Sequence, residues 1–212
     1  MPEKAKTGYA PLDERLSGGL GRGSNILLLG PPIGGKKVFA RRFIYAGLKN
    51  GEGCILSCTS TTAEDEHAMF EGLGLRVKDF EENGLLVYLD FYSRLIGLNL
   101  PDKPHIRRLP SIIDLAGYNV ALREFVASFS KRELKIRMVF DSVSTLLLYN
   151  PFTTVSRFLH LILGRLKALN ATSLFLLDEG AHSSENVTVI MGMMDGILRI
   201  KTKDRGKYLR YE

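Results

Sequence analysis

Seven consecutive residues of this 212-residue chain have the types and spacing to grip a phosphate. Gly30-Pro31-Pro32-Ile33-Gly34-Gly35-Lys36 completes the pattern G-x-x-x-x-G-K, between an apolar run and a helical pattern. Glycines let the backbone curl until successive N–H groups converge on phosphate oxygens, and a lysine brings an ammonium to the outer phosphates. The helix that follows adds its positive end. The nucleotide-binding set expected from this pattern is Gly30, Pro31, Pro32, Ile33, Gly34, Gly35, Lys36, Lys37 and Val38, with Asp141 from farther down the chain. One position departs from the pattern. A working loop continues with Ser or Thr, whose hydroxyl binds Mg²⁺, and here Lys37 occupies that place.

A phosphate loop also needs an acidic residue at the end of a neighbouring strand to hold water on the metal. Ile136-Arg137-Met138-Val139-Phe140-Asp141 has that shape, so Asp141 is the expected metal-side carboxylate if Mg²⁺ binds at all. Lys36 and Lys37, with Arg41 and Arg42 a turn later, load cations onto a helix start, where the macrodipole disfavours them. An anion there would offset the cost, either a nucleotide phosphate or the Asp141 carboxylate. Two readings of Lys37 follow. Its ammonium stands near the metal's place and pairs with Asp141, or it points to solvent beside a decayed site.

Three further carboxylates are weak catalytic candidates. Glu64 and Glu66 could reach back as a base, although acids in the first turn of a helix are common for dipole reasons. Asp178 ends a strand beside the site and could position a water, or simply serve the turn. His160, in an apolar helix, reads as packed or at an interface, and His182 has no nucleophile partner visible in sequence. Arg199, Lys201 and Lys203 alternate along a terminal strand, a stripe suited to phosphate backbones or to charge-protecting a sheet edge.

The elements that must hold these residues alternate. A short helix at Pro11–Leu16 lies between glycine turns, followed by a strand at Ile26–Leu29 and a helix from Lys36 to Lys49. Strands follow at Cys54–Cys58, Leu85–Leu89, Ile136–Phe140 and Ser173–Leu177. Helices start near Ala63, Leu115 and Val155, the first capped by the run Thr59–Thr62. Residues 91–113, broken by Pro101, Pro104 and Pro110, read as a surface loop, as do residues 180–186. Gly196–Thr202 and Lys207–Tyr211 read as a closing hairpin. Such alternation means an α/β fold, a mostly parallel sheet with helices on both faces and ligands at the strands' carboxyl ends.

With 45% hydrophobic and 25% charged residues, the composition is that of a globular domain. The expectation is one domain over residues 1–212, with a flexible terminus at 1–6. No apolar run reaches the roughly 20 residues of a membrane span, and Met1–Lys6 is unlike a signal peptide, so the expected setting is cytoplasmic and membrane-free. Cys54 and Cys58, four apart on a strand, would stand about 13 Å apart, beyond bridging. The net charge of +6 permits an anionic partner without naming one.

T-G-x-x-x-L-D-x-x-L-x-G-G-L from Thr7, then Arg22-Gly23-Ser24, the phosphate loop and Phe140-Asp141-Ser142 together resemble the KaiC-like branch of the RecA ATPase superfamily. Met194-Asp195-Gly196-Ile197-Leu198-Arg199-Ile200 is similar to that family's closing strand. The resemblance spans nearly the whole chain. It implies a RecA-like P-loop NTPase core, ATP as ligand, and ring or filament assembly with ATP between subunits, either of this chain or with a related RecA/KaiC-family protein.

Against that family pattern three catalytic features are altered. Lys37 replaces the metal-binding hydroxyl. The family's Glu pair after the second core strand, one member of which activates water, is matched by Ser60 and Thr61, and a hydroxyl is no base near pH 7. The family's Lys-x-Arg, which reaches a neighbour's γ-phosphate, is not matched, though Lys207 or Arg210 could substitute. The expected protein therefore binds ATP with Mg²⁺ dispensable, hydrolyses little or none, and regulates or scaffolds through assembly. The alternatives are a slow ATPase with a relocated carboxylate base, a recombinase-like paralogue in DNA repair, and a closed site without nucleotide. The two loops that would face DNA in such rings, Leu147–Val155 and Gly180–Val187, contain no Lys or Arg, so nucleic-acid binding is expected to be weak at most.

Overall fold

The computed structural model describes residues 3–203 and 206–211, with side chains described as far as Lys201. A short antiparallel ladder pairs β1 (Lys4–Ala5) with β2 (Leu20–Gly21), and α1 (Ala10–Arg15) lies between them. The main sheet contains β3 (Asn25–Gly30), β4 (Gly53–Cys58), β5 (Leu86–Asp90), β6 (Ile106–Arg108), β7 (Ile136–Asp141), β8 (Thr172–Asp178), β9 (Gly196–Lys203) and β10 (Gly206–Tyr211). Their spatial order is β10-β9-β3-β8-β7-β4-β5-β6. Every pair is parallel except the terminal β9–β10 hairpin. The fold is thus a mostly parallel α/β sheet closed by an antiparallel hairpin.

The helices are α2 (Lys36–Lys49), α3 (Ala63–Gly72), α4 (Lys78–Glu82), α5 (Tyr92–Leu95), α6 (Leu115–Lys131), α7 (Val143–Tyr149), α8 (Phe152–Ala168) and α9 (Ser184–Gly192). The period of two splits β3 between the two faces of the sheet. Ile26 and Leu28 pack with Phe39, Phe43 and Leu48 of α2 on one side. Leu27 and Leu29 meet Leu159, Ile162 and Leu166 of α8 on the other. A strand covered on both faces has no polar positions to alternate, which is why β3 reads as a plain apolar run.

Several expectations need correction. Within the terminus expected to be free at residues 1–6, Ala5 is fully buried in the β1–β2 ladder. Residues 91–113 are not one surface loop: they contain α5 and β6, and Leu109 and Ile112 are core residues. Three strand residues and four helical ones are too few for either period to register. The region 147–155 is likewise no loop, since α7 and α8 meet at Asn150-Pro151, and α9 begins within residues 180–187, where Ser183 accepts a hydrogen bond from the Asn186 N–H. His160 is on the exposed face of α8. Cys54 and Cys58 are buried free thiols, as their spacing requires.

Candidate functional site

The phosphate loop begins where β3 ends. Gly35 turns the chain at φ 96° into the first residue of α2, a conformation glycine adopts without a Cβ clash. A Cβ on Gly34 would stand 2.7 Å from the Pro31 carbonyl oxygen, so the curl admits no side chain there. Ile33, β-branched, sits at the tip with φ 59°, a strained placement that costs about 1–2 kcal/mol. A cleft of about 450 Å³ opens beside this loop. It is lined by residues 33–38 together with Ser60, Asp141, Ser142, Thr145, Leu176 and Asp178.

Strand order decides which charges meet. β8 lies between β3 and β7, so the strand carrying Asp141 is one place removed from the loop strand and not its direct neighbour. Gly30 is opposite Asp178 in the ladder, and Asp178 Oδ1 meets Lys36 Nζ at 2.7 Å. Lys36 also donates to the carbonyls of Gly30 and Pro31, each at 2.8 Å. Cys58 is opposite Asp141, which brings the chain after β4 to the same edge. There Lys37 Nζ lies 3.0 Å from Asp141 Oδ2 and donates to Ser60 Oγ at 2.7 Å. Of the two readings of Lys37, the geometry is that of the Asp141 pair.

Asp141 is buried, and its second oxygen, Oδ1, has no hydrogen-bond partner among the described residues. Burial pushes its carboxyl above the ordinary range; Lys37 pulls the other way without cancelling the cost, and Glu66 adds to it.

The four hydroxyls after β4 each have a task. Thr59 Oγ1 donates to the Asp141 carbonyl at 2.8 Å and accepts from the Ser142 N–H at 2.7 Å. Ser60 receives Lys37, and Thr61 donates to Glu66 Oε1 at 2.7 Å. Thr62 caps α3 in a capping box with Asp65. Glu66 is clamped by both arms of Arg41, at 2.8 and 3.0 Å. Arg41 lies one turn beyond Lys37, so one face of α2 grips both Asp141 and Glu66. The sequence signal for this was available in the spacing Lys37–Arg41, but its partners were not.

The weak catalytic candidates separate. Glu66 is buried in the Arg41 clamp and does not line the cleft. Glu64 points elsewhere, to Arg108 at 2.6 Å and Lys103 at 3.3 Å. Burial raises its carboxyl, yet its own backbone N–H and these two cations outweigh that and hold it below the ordinary value. Asp178 lines the cleft, paired with Lys36. Arg199 pairs with Glu179, next to Asp178; side chains from residue 202 onward, including Lys203, Lys207 and Arg210, lie outside the described set.

The loop's shape suits a polyphosphate: a tight glycine curl that admits no side chain at Gly34, and an adjoining helix start. Mg²⁺ fits poorly. The ammonium at the hydroxyl's position has only protons to offer, and it already holds one oxygen of Asp141. No group of three or more metal-ligating side chains occurs among the described residues.

This sheet order with its loop and strand-end carboxylates defines a RecA-like fold of the P-loop NTPase class. A family model described as "ATPase: KaiC" matches residues 5–211, and the chain belongs to that family. A UPF0273 protein of Methanopyrus kandleri is 27% identical over 93% of this chain and 76% of its own length. A UPF0273 protein of Thermotoga maritima is 30% identical over 83% of this chain and 70% of its own. Among solved structures, a KaiC-like protein of Pyrococcus horikoshii superposes with a TM-score of 0.76 at 19% identity, covering 100% of this chain and 88% of that one. The flagellar accessory protein FlaH of Methanocaldococcus jannaschii gives 0.72 at 20% identity, covering 99% and 87%. No helix among the described residues is long and apolar enough to cross a membrane.

Proposed function

We propose that this chain binds ATP without needing Mg²⁺, hydrolyses it little or not at all, and acts as a regulatory or scaffolding member of its family, assembling with itself or a related protein. The single observation that carries this is Lys37. Its ammonium sits 3.0 Å from Asp141 and 2.7 Å from Ser60, an internal cation beside the phosphate loop. A positive charge already in place, holding one oxygen of Asp141, lowers the gain from adding a divalent ion. Hydrolysis needs a base within reach of the attacking water. The cleft's two carboxylates are both tied to lysines, and Glu64 and Glu66 face away.

Calorimetry with ATP in magnesium and in chelator, together with phosphate release, tests this reading. Affinities that agree within a few-fold and turnover near background are expected. Lys37→Thr should make binding magnesium-dependent without restoring hydrolysis. Brisk wild-type hydrolysis abolished by Glu64→Gln or Glu66→Gln would replace the proposal with the relocated-base ATPase.

A second reading has an observation of its own. Both loop lysines are satisfied internally, which favours a site that stays closed and takes no nucleotide. Absence of ATP binding in both magnesium and chelator would select it.

A further inference from the structure

The ammonium of Lys36 has three protons to donate, and three oxygens already lie within 2.8 Å of it. Two go to the carbonyls of Gly30 and Pro31, each at 2.8 Å, and Asp178 Oδ1 is ion-paired with the same nitrogen at 2.7 Å. A phosphate oxygen can engage Lys36 only by taking one of these places. The carbonyls belong to the loop backbone. Asp178 is a side chain, about a third exposed at the cleft's rim. It is the one partner that can leave by rotating into water.

We infer that Asp178 is an internal ligand of Lys36 that competes with incoming phosphate and thereby sets the affinity of the site. This rests on the nucleotide reading above and specifies how that site is regulated. The register of the sheet builds the competitor in: β8 adjoins β3, and Asp178 is opposite Gly30 at the very point where the loop begins. The backbone N–H of Asp178 is fixed by Ser144 Oγ at 2.8 Å, so the strand end stays in place when the side chain swings away. A carboxylate and a phosphate oxygen make the same charge-assisted bond to an ammonium, so one displaces the other at the cost of a whole contact. The displaced carboxylate also remains beside the ligand as a like charge. Asp178 therefore weakens binding, whereas a water-positioning base would leave binding alone and support turnover.

The test measures binding of ATP, ADP and inorganic pyrophosphate to the wild type, Asp178→Asn and Asp178→Ala, with Lys36→Ala alone and combined with Asp178→Asn. Both Asp178 variants should bind all three probes more tightly, by roughly ten- to a hundredfold, the range of one charge-assisted contact. The gain should disappear when Lys36 is also replaced, because the competition is for that ammonium. Unchanged or weaker binding in both Asp178 variants overturns the inference while leaving wild-type nucleotide binding, and with it the reading above, intact. A gain that survives the loss of Lys36 also overturns it, since that would be a general charge effect. If the wild type takes no nucleotide but Asp178→Asn does, the inference holds and the nucleotide reading of the wild type fails. Binding by no variant to any probe defeats both. Unchanged melting temperatures confirm that the variants compared are folded.

Discussion

Two clusters of paired charges lie at the two ends of the same sheet, and they are built differently. At the amino end, Glu52 receives both arms of Arg22, at 2.7 and 2.6 Å, and both arms of Arg137, at 2.7 and 2.9 Å. Arg137 also donates to the carbonyls of Lys6 and Phe43 and stacks its guanidinium 4.6 Å from the Phe43 ring centre. Arg22 Nε alone lacks a hydrogen bond, with Glu3 at 3.9 Å. At the carboxyl end, Lys36 and Lys37 each hold one carboxylate, one oxygen of Asp141 is orphaned, and a cleft runs between the pairs. Bidentate forks that saturate a carboxylate make a staple. Point charges on flexible stems, facing an incompletely satisfied acid, make a site whose partners can exchange. Burial and completeness of pairing both separate the two: Glu52 and Arg137 are buried and Arg22 nearly so, whereas Lys37 and Asp178 are partly exposed.

The largest expected effect breaks the amino-end cluster. Glu52→Ala leaves two buried guanidinium groups without their carboxylate and should cost about 3–5 kcal/mol in urea unfolding. No comparable loss is expected from either lysine of the loop. The same cluster has a pH signature. Burial would push the Glu52 carboxyl up, but Arg22 and Arg137 outweigh it and hold it below its ordinary 4.5. Its stabilisation is therefore complete above pH 4.5 and is lost as the pH falls through the lowered folded value. The acid limb of a stability–pH curve should flatten in Glu52→Gln, at lower overall stability.

Next in size, in the Asp178→Asn background, where nothing offsets the contact, Lys36→Ala should weaken ATP by about ten- to a hundredfold, through loss of roughly 1.5–3 kcal/mol, while the urea midpoint stays nearly fixed. Equal losses of binding and stability would erase the distinction between staple and site. Glycines sharpen it further. A Cβ on Gly47 would stand 2.5 Å from Arg137 Cδ, so Gly47→Ala should cost about 1–3 kcal/mol by overpacking and leave the loop's chemistry alone.

The smallest effect has the opposite sign. The Asp141 carboxyl is raised above its ordinary 3.8, so its contribution to stability is greatest below that value and falls as the pH rises through the raised folded value. Asp141→Asn should therefore be as stable as the wild type or slightly more so at pH 8, with the gain vanishing in acid. A loss at pH 8 as large as that of Glu52→Ala would place Asp141 among the staples.

Much of this was legible in the chain itself. The loop from Gly30 to Lys36, α2 from Lys36 to Lys49 and the alternation of strands with helices follow from local rules: glycine conformations, a helix start, and periods of 2 and 3.6. The displacement of the metal-binding hydroxyl by Lys37 was a matter of residue type at one position, and it could be read without coordinates. Short elements such as α5, β6 and α7 escaped because a few residues cannot display a period, and the burial that holds them is supplied by distant parts of the chain.

The Lys37–Asp141 pair was among the sequence's readings, but the other pairings were decided by the tertiary structure. Sequence spacing made Asp141 the loop's acid, but it could not place β8 between β3 and β7. That insertion gives Lys36 to Asp178 and leaves Asp141 to Lys37. It likewise could not send Glu64 to Arg108 and Glu66 to Arg41, both apparent candidates for a base by position in the chain. The reason is physical: helix and turn preferences act over a few residues, whereas strand order and the pairing of buried charges depend on contacts between segments far apart in sequence, fixed only when the whole sheet closes its two cores.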